Sequence, residues 1–222
     1  MSYRMRTQYA IDHFFEKNYF DVSEVSYELQ EQDDRGKSLL YLENVGENLC
    51  VSQFDSKSKC KFLRQDREYG LQKCSDHILF QHMADDSWTL LIIEMKTSVG
   101  AKVWKDIKKK TRASYLNALA IAAVLDIQIK KVIVYTTFEE EKFSDLPDLT
   151  SPYAQKPVLG HYQVDYKKDE WDRNVICINL GEALRFEHHH IRMHRNEDGS
   201  RLEGKYDLRE LSRQKPVKVP CS

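Results

Sequence analysis

The chain is sparing in the features that usually announce a protein's class. Its 222 residues include 5 cysteines, Cys50, Cys60, Cys74, Cys177 and Cys221, at wide and irregular spacings. No C-x-x-C pair occurs among them. That argues against a disulfide framework and against zinc or iron–sulfur sites of the usual paired spacing, and favours buried thiols in a reducing compartment. No window approaches the roughly 18 consecutive apolar residues of a membrane span. The opening stretch MSYRMRTQYAIDHFF lacks the long apolar segment of a secretory signal. A soluble, cytoplasmic protein without a membrane partner is therefore expected. Charge of one sign is also missing, because 31% charged residues balance to a net charge of −1. Any basic surface has to be local. There is no internal repeat and no low-complexity linker.

An apolar content of 41% allows a normal core, and the length suits one large domain or a domain with an appendage. Residues 3–18 place Met5, Tyr9, Ile11, Phe14 and Phe15 at helical spacing. Asp33-Asp34-Arg35-Gly36 marks a turn, and SLLYLE, ENVGEN and LCVSQF read as a hairpin. KCKFLR is a further short strand candidate. CSDHILFQHM and SWTLLIIEMK follow as strands, the second apolar on both faces as in the centre of a sheet. KVWKDIKKKTRASYLNALAIAAVLDI then carries Val103, Ile107, Leu116, Leu119, Ala120, Ala123 and Val124 at helical period. KKVIVYTTF reads as a buried strand, parallel to an earlier one because a helix intervenes. Residues 139–157 read as an acidic surface loop, and GHYQVDY and RNVICINL as strands. GEALRFEHHHIRMHR is ambiguous between helix and strand, NEDGS is a turn, and LEGKYDLREL is its hairpin partner. The whole is a mixed α/β domain with one main sheet.

The chemistry concentrates in DHILFQHMADDSWTLLIIEMK, residues 76–96. Charges at the rim of a core are costly unless paired, solvated or bound to metal. Glu94 and Lys96 lie on one face of their strand. Asp76 joins them only in one register. A three-residue loop, or a two-residue turn with a bulge, sets Asp76 opposite Glu94 or Lys96. A two-residue turn at Asp85-Asp86 sets it opposite Met95, on the other face. If the carboxylates converge, they are oxygen ligands of the kind Mg²⁺ or Mn²⁺ takes, with a lysine beside them to neutralise developing charge or orient a water.

Asp76, then Glu94-x-Lys96 closing an apolar strand, then a long helix and another apolar strand, resembles the PD-(D/E)XK nuclease superfamily over roughly residues 38–137. The resemblance implies a restriction-endonuclease-like αβββαβ core in residues 1–137. Residues 138–222 would then be an acidic loop plus accessory C-terminal strands on the same domain. It implies a metal-dependent nuclease acting on DNA, or on RNA, with Asp76, Glu94 and Lys96 catalytic and with Asp76, Glu94 and the Met95 carbonyl as metal ligands. Ser75 stands where many members have proline. Glu16, Glu43 and Glu47 are candidates for the further acid that many members carry. The basic start of the long helix, Lys102, Lys105, Lys108, Lys109, Lys110 and Arg112 against Asp106, suits a phosphate backbone. Lys105, Lys108, Lys109 and Arg112 are the nucleic-acid-binding candidates, with Lys109 and Arg112 foremost.

Plainer readings stand beside these. The triad alone fits a rim ion pair, and a basic helix face is usually just solvated. The four histidines His188, His189, His190 and His194 are read as surface or cross-strand packing, although His190 and His194 would share a face of a helix. The aromatics Tyr3, Tyr9, Phe14, Phe15, Tyr19 and Phe20 read as core or interface, compatible with a homodimer or a partner subunit. The alternative function is a non-catalytic binding or assembly subunit with the same fold.

Overall fold

The computed structural model describes residues 5–33, 36–51, 54, 60, 63–64, 70–143 and 166–209. The elements in chain order are α1 (Met5–Phe14), β1 (Ser26–Asp33), β2 (Gly36–Glu43), β3 (Asn48–Val51), β4 (His77–His82), β5 (Trp88–Met95) and β6 (Ser98–Val99). They continue with α2 (Ala101–Leu125), β7 (Ile129–Phe138), β8 (Glu140–Glu141), α3 (Tyr166–Asp172), β9 (Val175–Asn179), β10 (Ala183–Arg192), β11 (His194–Arg195) and β12 (Arg201–Asp207). The fold is mixed α/β, with more strand than helix.

A six-stranded sheet has the order β3-β4-β5-β7-β10-β9, and a four-stranded sheet has the order β1-β2-β12-β11. In the larger sheet β5, β7 and β10 run parallel, while β3, β4 and β9 pair antiparallel to their neighbours. Residue parity divides its two faces. Ile78, Phe80, Leu90, Ile92 and Val134 pack with Trp104, Ile107, Ala118 and Ile121 of α2, Ala10 of α1 and Trp171 of α3. Leu79, Leu91, Ile93, Ile133 and Tyr135 pack against Leu29, Leu40, Leu42 and Leu202 of the smaller sheet. The molecule is thus three layers: helices, large sheet, small sheet. Leu90, Leu91, Ile92 and Ile93 are all fully buried. Each is worth about 1.5–3 kcal/mol relative to exposure, so β5 is the strand both cores are built on.

Several expectations are corrected. The first helix ends at Phe14, short of residue 18, and Asn18 takes a left-handed φ of 62° in the turn that follows. Phe15, Tyr19 and Phe20 then turn inward as a ring cluster. SLLYLE and LCVSQF are not hairpin partners. β2 pairs with β1, and β3 pairs with β4 in the other sheet. The reason lies at ENVGEN, where Asn44 and Gly46 have positive φ (55° and 64°) and Val45 is buried, so the chain passes between layers instead of reversing. GEALRFEHHHIRMHR is strand, held between β7 and β9. LEGKYDLREL does pair with β11, and also runs parallel to β2. The strands after residue 138 therefore complete both sheets. The strand candidates at 59–64 and 160–166, most of the acidic loop, and the tail from 210 lie wholly or largely outside the described residues. Of these, Tyr166 opens α3. No described helix is long and apolar enough to cross a membrane.

β6 and β8 pair just before α2 begins, and Gly100 lies in that seam. A Cβ added there would stand 2.6 Å from the Lys142 carbonyl oxygen. Backbone cannot swing aside as a side-chain tip can. Gly100→Ala is expected to lower unfolding free energy by about 1–3 kcal/mol, the usual cost of overpacking. Urea denaturation checks this, and an unchanged midpoint would contradict it.

Candidate active site

The β4–β5 connection decides what faces what. Met83 N–H donates to Ser87 O at 2.9 Å, Asp86 N–H donates to Met83 O at 2.9 Å, and Asp86 is left-handed with φ 62°. This is a three-residue loop, Ala84-Asp85-Asp86, of the turn-plus-bulge kind. It pairs His82 with Trp88 and His77 with Ile93, and one step further brings Asp76 level with Glu94. Asp76 Oδ2 accepts the Met95 N–H at 2.6 Å. Both carboxylates continue the helix-facing rows of their strands. Asp76 is 3% exposed and Glu94 0%.

The helix layer holds the segment that precedes Asp76. Ser114 Oγ accepts the Ser75 N–H at 2.7 Å. Asn117 Nδ2 donates to Leu71 O at 3.1 Å, while Asn117 Oδ1 accepts the Cys60 N–H at 2.9 Å. Phe54 N–H donates to Asp76 O at 3.0 Å. β7 extends the site's other wall, because Lys96 N–H donates to Thr137 O at 3.2 Å. The carboxylates thus sit at the carboxyl ends of the parallel strands, roofed by α2.

Two lysines close on them. Lys96 Nζ is 2.5 Å from Glu94 Oε1 and donates to Met95 O at 2.9 Å. Lys110 Nζ, from α2, is 2.7 Å from the same Oε1 and 3.4 Å from Asp76 Oδ1. Lys110 was not among the sequence candidates for the site. Its signal was its phase: it stands on the stripe of Trp104, Ile107, Thr111 and Ser114 that α2 buries. Burial pushes the Glu94 carboxyl above its ordinary pKa, Asp76 adds to this, and the two lysines oppose it. Burial works against the Lys110 charge, but Glu94 and Asp76 outweigh it and hold the ammonium above the ordinary lysine range.

The other candidates divide. Lys108 is taken up by Glu170, whose oxygens lie 2.7 and 2.8 Å from its Nζ and which also accepts the Trp104 indole N–H at 3.0 Å. Lys108 thus ties α2 to α3. Lys105 is exposed, and Lys109 and Arg112 are half-buried. Glu43 pairs with Lys205, Glu47 pairs with His82 at the far end of β4 from Asp76, and Glu16 is exposed beyond α1. None joins the Asp76–Glu94 pair. Among the described residues no group of three or more His, Cys, Asp or Glu forms a metal cage. The pair still fits a hard divalent cation. It offers oxygen donors, and Glu94 Oε2 is buried with no hydrogen-bond partner.

The histidines extend the same row of the sheet. Glu94 pairs with Thr136 across β5–β7, and Thr136 with His190 across β7–β10. Because β10 is a strand, His190 and His194 do not form a helical ligand pair. His188 is fully buried, with Nε2 2.9 Å from Thr136 Oγ1, and burial holds its pKa well below the ordinary value. His190 stacks on Trp171 with centroids 3.7 Å apart, near Glu141, Asp172 and His189. No family model, curated protein or solved structure matches the chain.

Burial lowers the His190 pKa from 6.5 to about 4. Below pH 6.5 the unfolded chain takes up a proton that the folded chain refuses, so stability falls as pH drops from 6.5 towards 4. His190→Phe keeps the stack on Trp171 and removes the titration. Its melting temperature is expected to fall less than that of wild type between about pH 6.5 and 5. Equal slopes would contradict the assignment.

Proposed function

We propose that the chain is a Mg²⁺- or Mn²⁺-dependent nuclease of the PD-(D/E)XK type. It hydrolyses phosphodiester bonds of nucleic acid, DNA ahead of RNA, in defence, repair or mobile-element processing. The observation that carries this reading is the convergence of two buried, directly opposed carboxylates with two lysines at the carboxyl ends of parallel strands. Carboxylates this deep are destabilising to a fold, and such perturbed clusters concentrate at functional sites. The succession β3, β4, β5, α2, β7, three antiparallel strands and then a helical crossover to a parallel one, is in keeping with an αβββαβ core.

Asp76 and Glu94 are the residues that would hold the cation, with the Met95 carbonyl as a further oxygen donor. When bound, such an ion lowers the pKa of a coordinated water and neutralises charge on a phosphoryl oxygen. Lys96 is the more exposed lysine, at 29% against 16% for Lys110. Its Nζ is the group placed to orient a water or to meet the developing charge on phosphate. Lys105, Lys109 and Arg112, on the helix above, supply contacts to the backbone phosphates that are indifferent to sequence. A second reading, a non-catalytic binding or assembly subunit, draws on one observation: the two lysines already neutralise the two carboxylates.

Cleavage of plasmid, single-stranded DNA and RNA with Mg²⁺, Mn²⁺ or EDTA separates the readings. Metal-dependent cutting is expected, lost in Glu94→Ala and reduced about 10²–10³-fold in Lys96→Ala. Cutting that survives both substitutions would sink the site. Nucleic-acid binding with no cutting in any metal would favour the subunit.

A further inference from the structure

We propose that Lys110 is a positioning residue that gates the metal. Its ammonium bridges Asp76 and Glu94, and a divalent cation enters only as that bridge gives way. This rests on the nuclease reading of the site and adds its regulation. Lys110 is the one side chain described as touching both carboxylates, at 3.4 Å from Asp76 Oδ1 and 2.7 Å from Glu94 Oε1. It therefore occupies the space between the two residues that would hold a cation. Lys96 touches Glu94 alone, together with the Met95 carbonyl.

Charge balance gives the gate its force. Two ammoniums cancel two carboxylates, so the closed cluster is neutral. A divalent ion added to that cluster leaves two uncompensated positive charges in a site where Glu94 is fully buried. Withdrawal of the Lys110 ammonium removes one of these charges, and an anion arriving with the ion removes the other. The anion at hand in the proposed reaction is the phosphodiester itself. Metal and nucleic acid consequently bind with positive coupling, and by linkage each raises the affinity for the other. An enzyme built this way holds little metal until a phosphate backbone is in place. The helix makes the arrangement firm. Lys110 is the tenth residue of a 25-residue helix whose inner face is packed on the sheet, so the ammonium moves by side-chain rotation and not by helix displacement.

The test is Mn²⁺ binding, followed by electron paramagnetic resonance and calorimetry without nucleic acid. Wild type, Lys110→Gln, Lys110→Arg and Glu94→Ala are compared, each first shown to melt cooperatively. Lys110→Gln is expected to bind Mn²⁺ at least about tenfold more tightly than wild type, within the usual range of coupling. Lys110→Arg keeps the bridging charge and is expected to stay weak. Adding an uncleavable phosphorothioate oligonucleotide should tighten Mn²⁺ binding to wild type more than to Lys110→Gln. Wild-type binding that Glu94→Ala abolishes, with Lys110→Gln unchanged or weaker, overturns the gate and leaves the metal site standing. Failure of every form to bind Mn²⁺, with or without the oligonucleotide, overturns the metal reading and the gate with it.

Discussion

The Met95 N–H donates to Asp76 across the end of the β4–β5 pair, and the surroundings are organised around that contact. It holds a carboxylate level with Glu94 at a place where both side chains face the helix layer. A slip of one residue would turn Asp76 to the opposite face of the sheet. The register is enforced at both ends of the hairpin. The left-handed Asp86 sets the loop, and Ser114 and Asn117 grip the chain leading into Asp76. The two buried acids in turn demand cations, since one alone in that setting would cost several kcal/mol. α2 meets the demand by placing a lysine on its packed face.

The same demand shapes the protein more widely. β5 has all eight residues buried and carries hydrophobic contacts on both faces, so it can tolerate a charge at its last turn inward. Burial of Leu90 to Ile93 stabilises what Glu94 weakens. The helical crossover from β5 to β7 brings Thr136 and Thr137 beside the acids, and β10 adds His190 to the same row. A polar row from Asp76 to His190 thus crosses four strands at one level, at the carboxyl ends of β5, β7 and β10. That is the end of an open α/β sheet where ligands usually bind.

Much of this was legible in the residues. The run TLLII announced a central strand, the change of period after Gly100 announced α2, and the intervening helix announced that β7 would be parallel. The register of Asp76 was legible only as a choice between loop types, because ADDS accommodates more than one turn. Pairings distant in sequence were not legible. SLLYLE takes β1 and β12 as neighbours, and nothing in its pattern distinguishes them from LCVSQF. Lys110 was missed as a residue of the site for a similar reason. In a run of adjacent lysines, helical phase decides which one points inward. That phase was readable from Trp104, Ile107 and Ser114, but the count of basic residues obscured it. The histidine run was ambiguous because period alone does not tell a strand from a helix when a segment is half apolar.

The account turns on whether Asp76 and Glu94 share a divalent cation. Anomalous diffraction from a crystal soaked in Mn²⁺ together with a phosphorothioate oligonucleotide addresses that directly. The account predicts one strong peak between the two carboxylates, with Lys110 turned away from it. A crystal with ordered oligonucleotide and no peak there, with Lys110 still bridging Asp76 and Glu94, would contradict it.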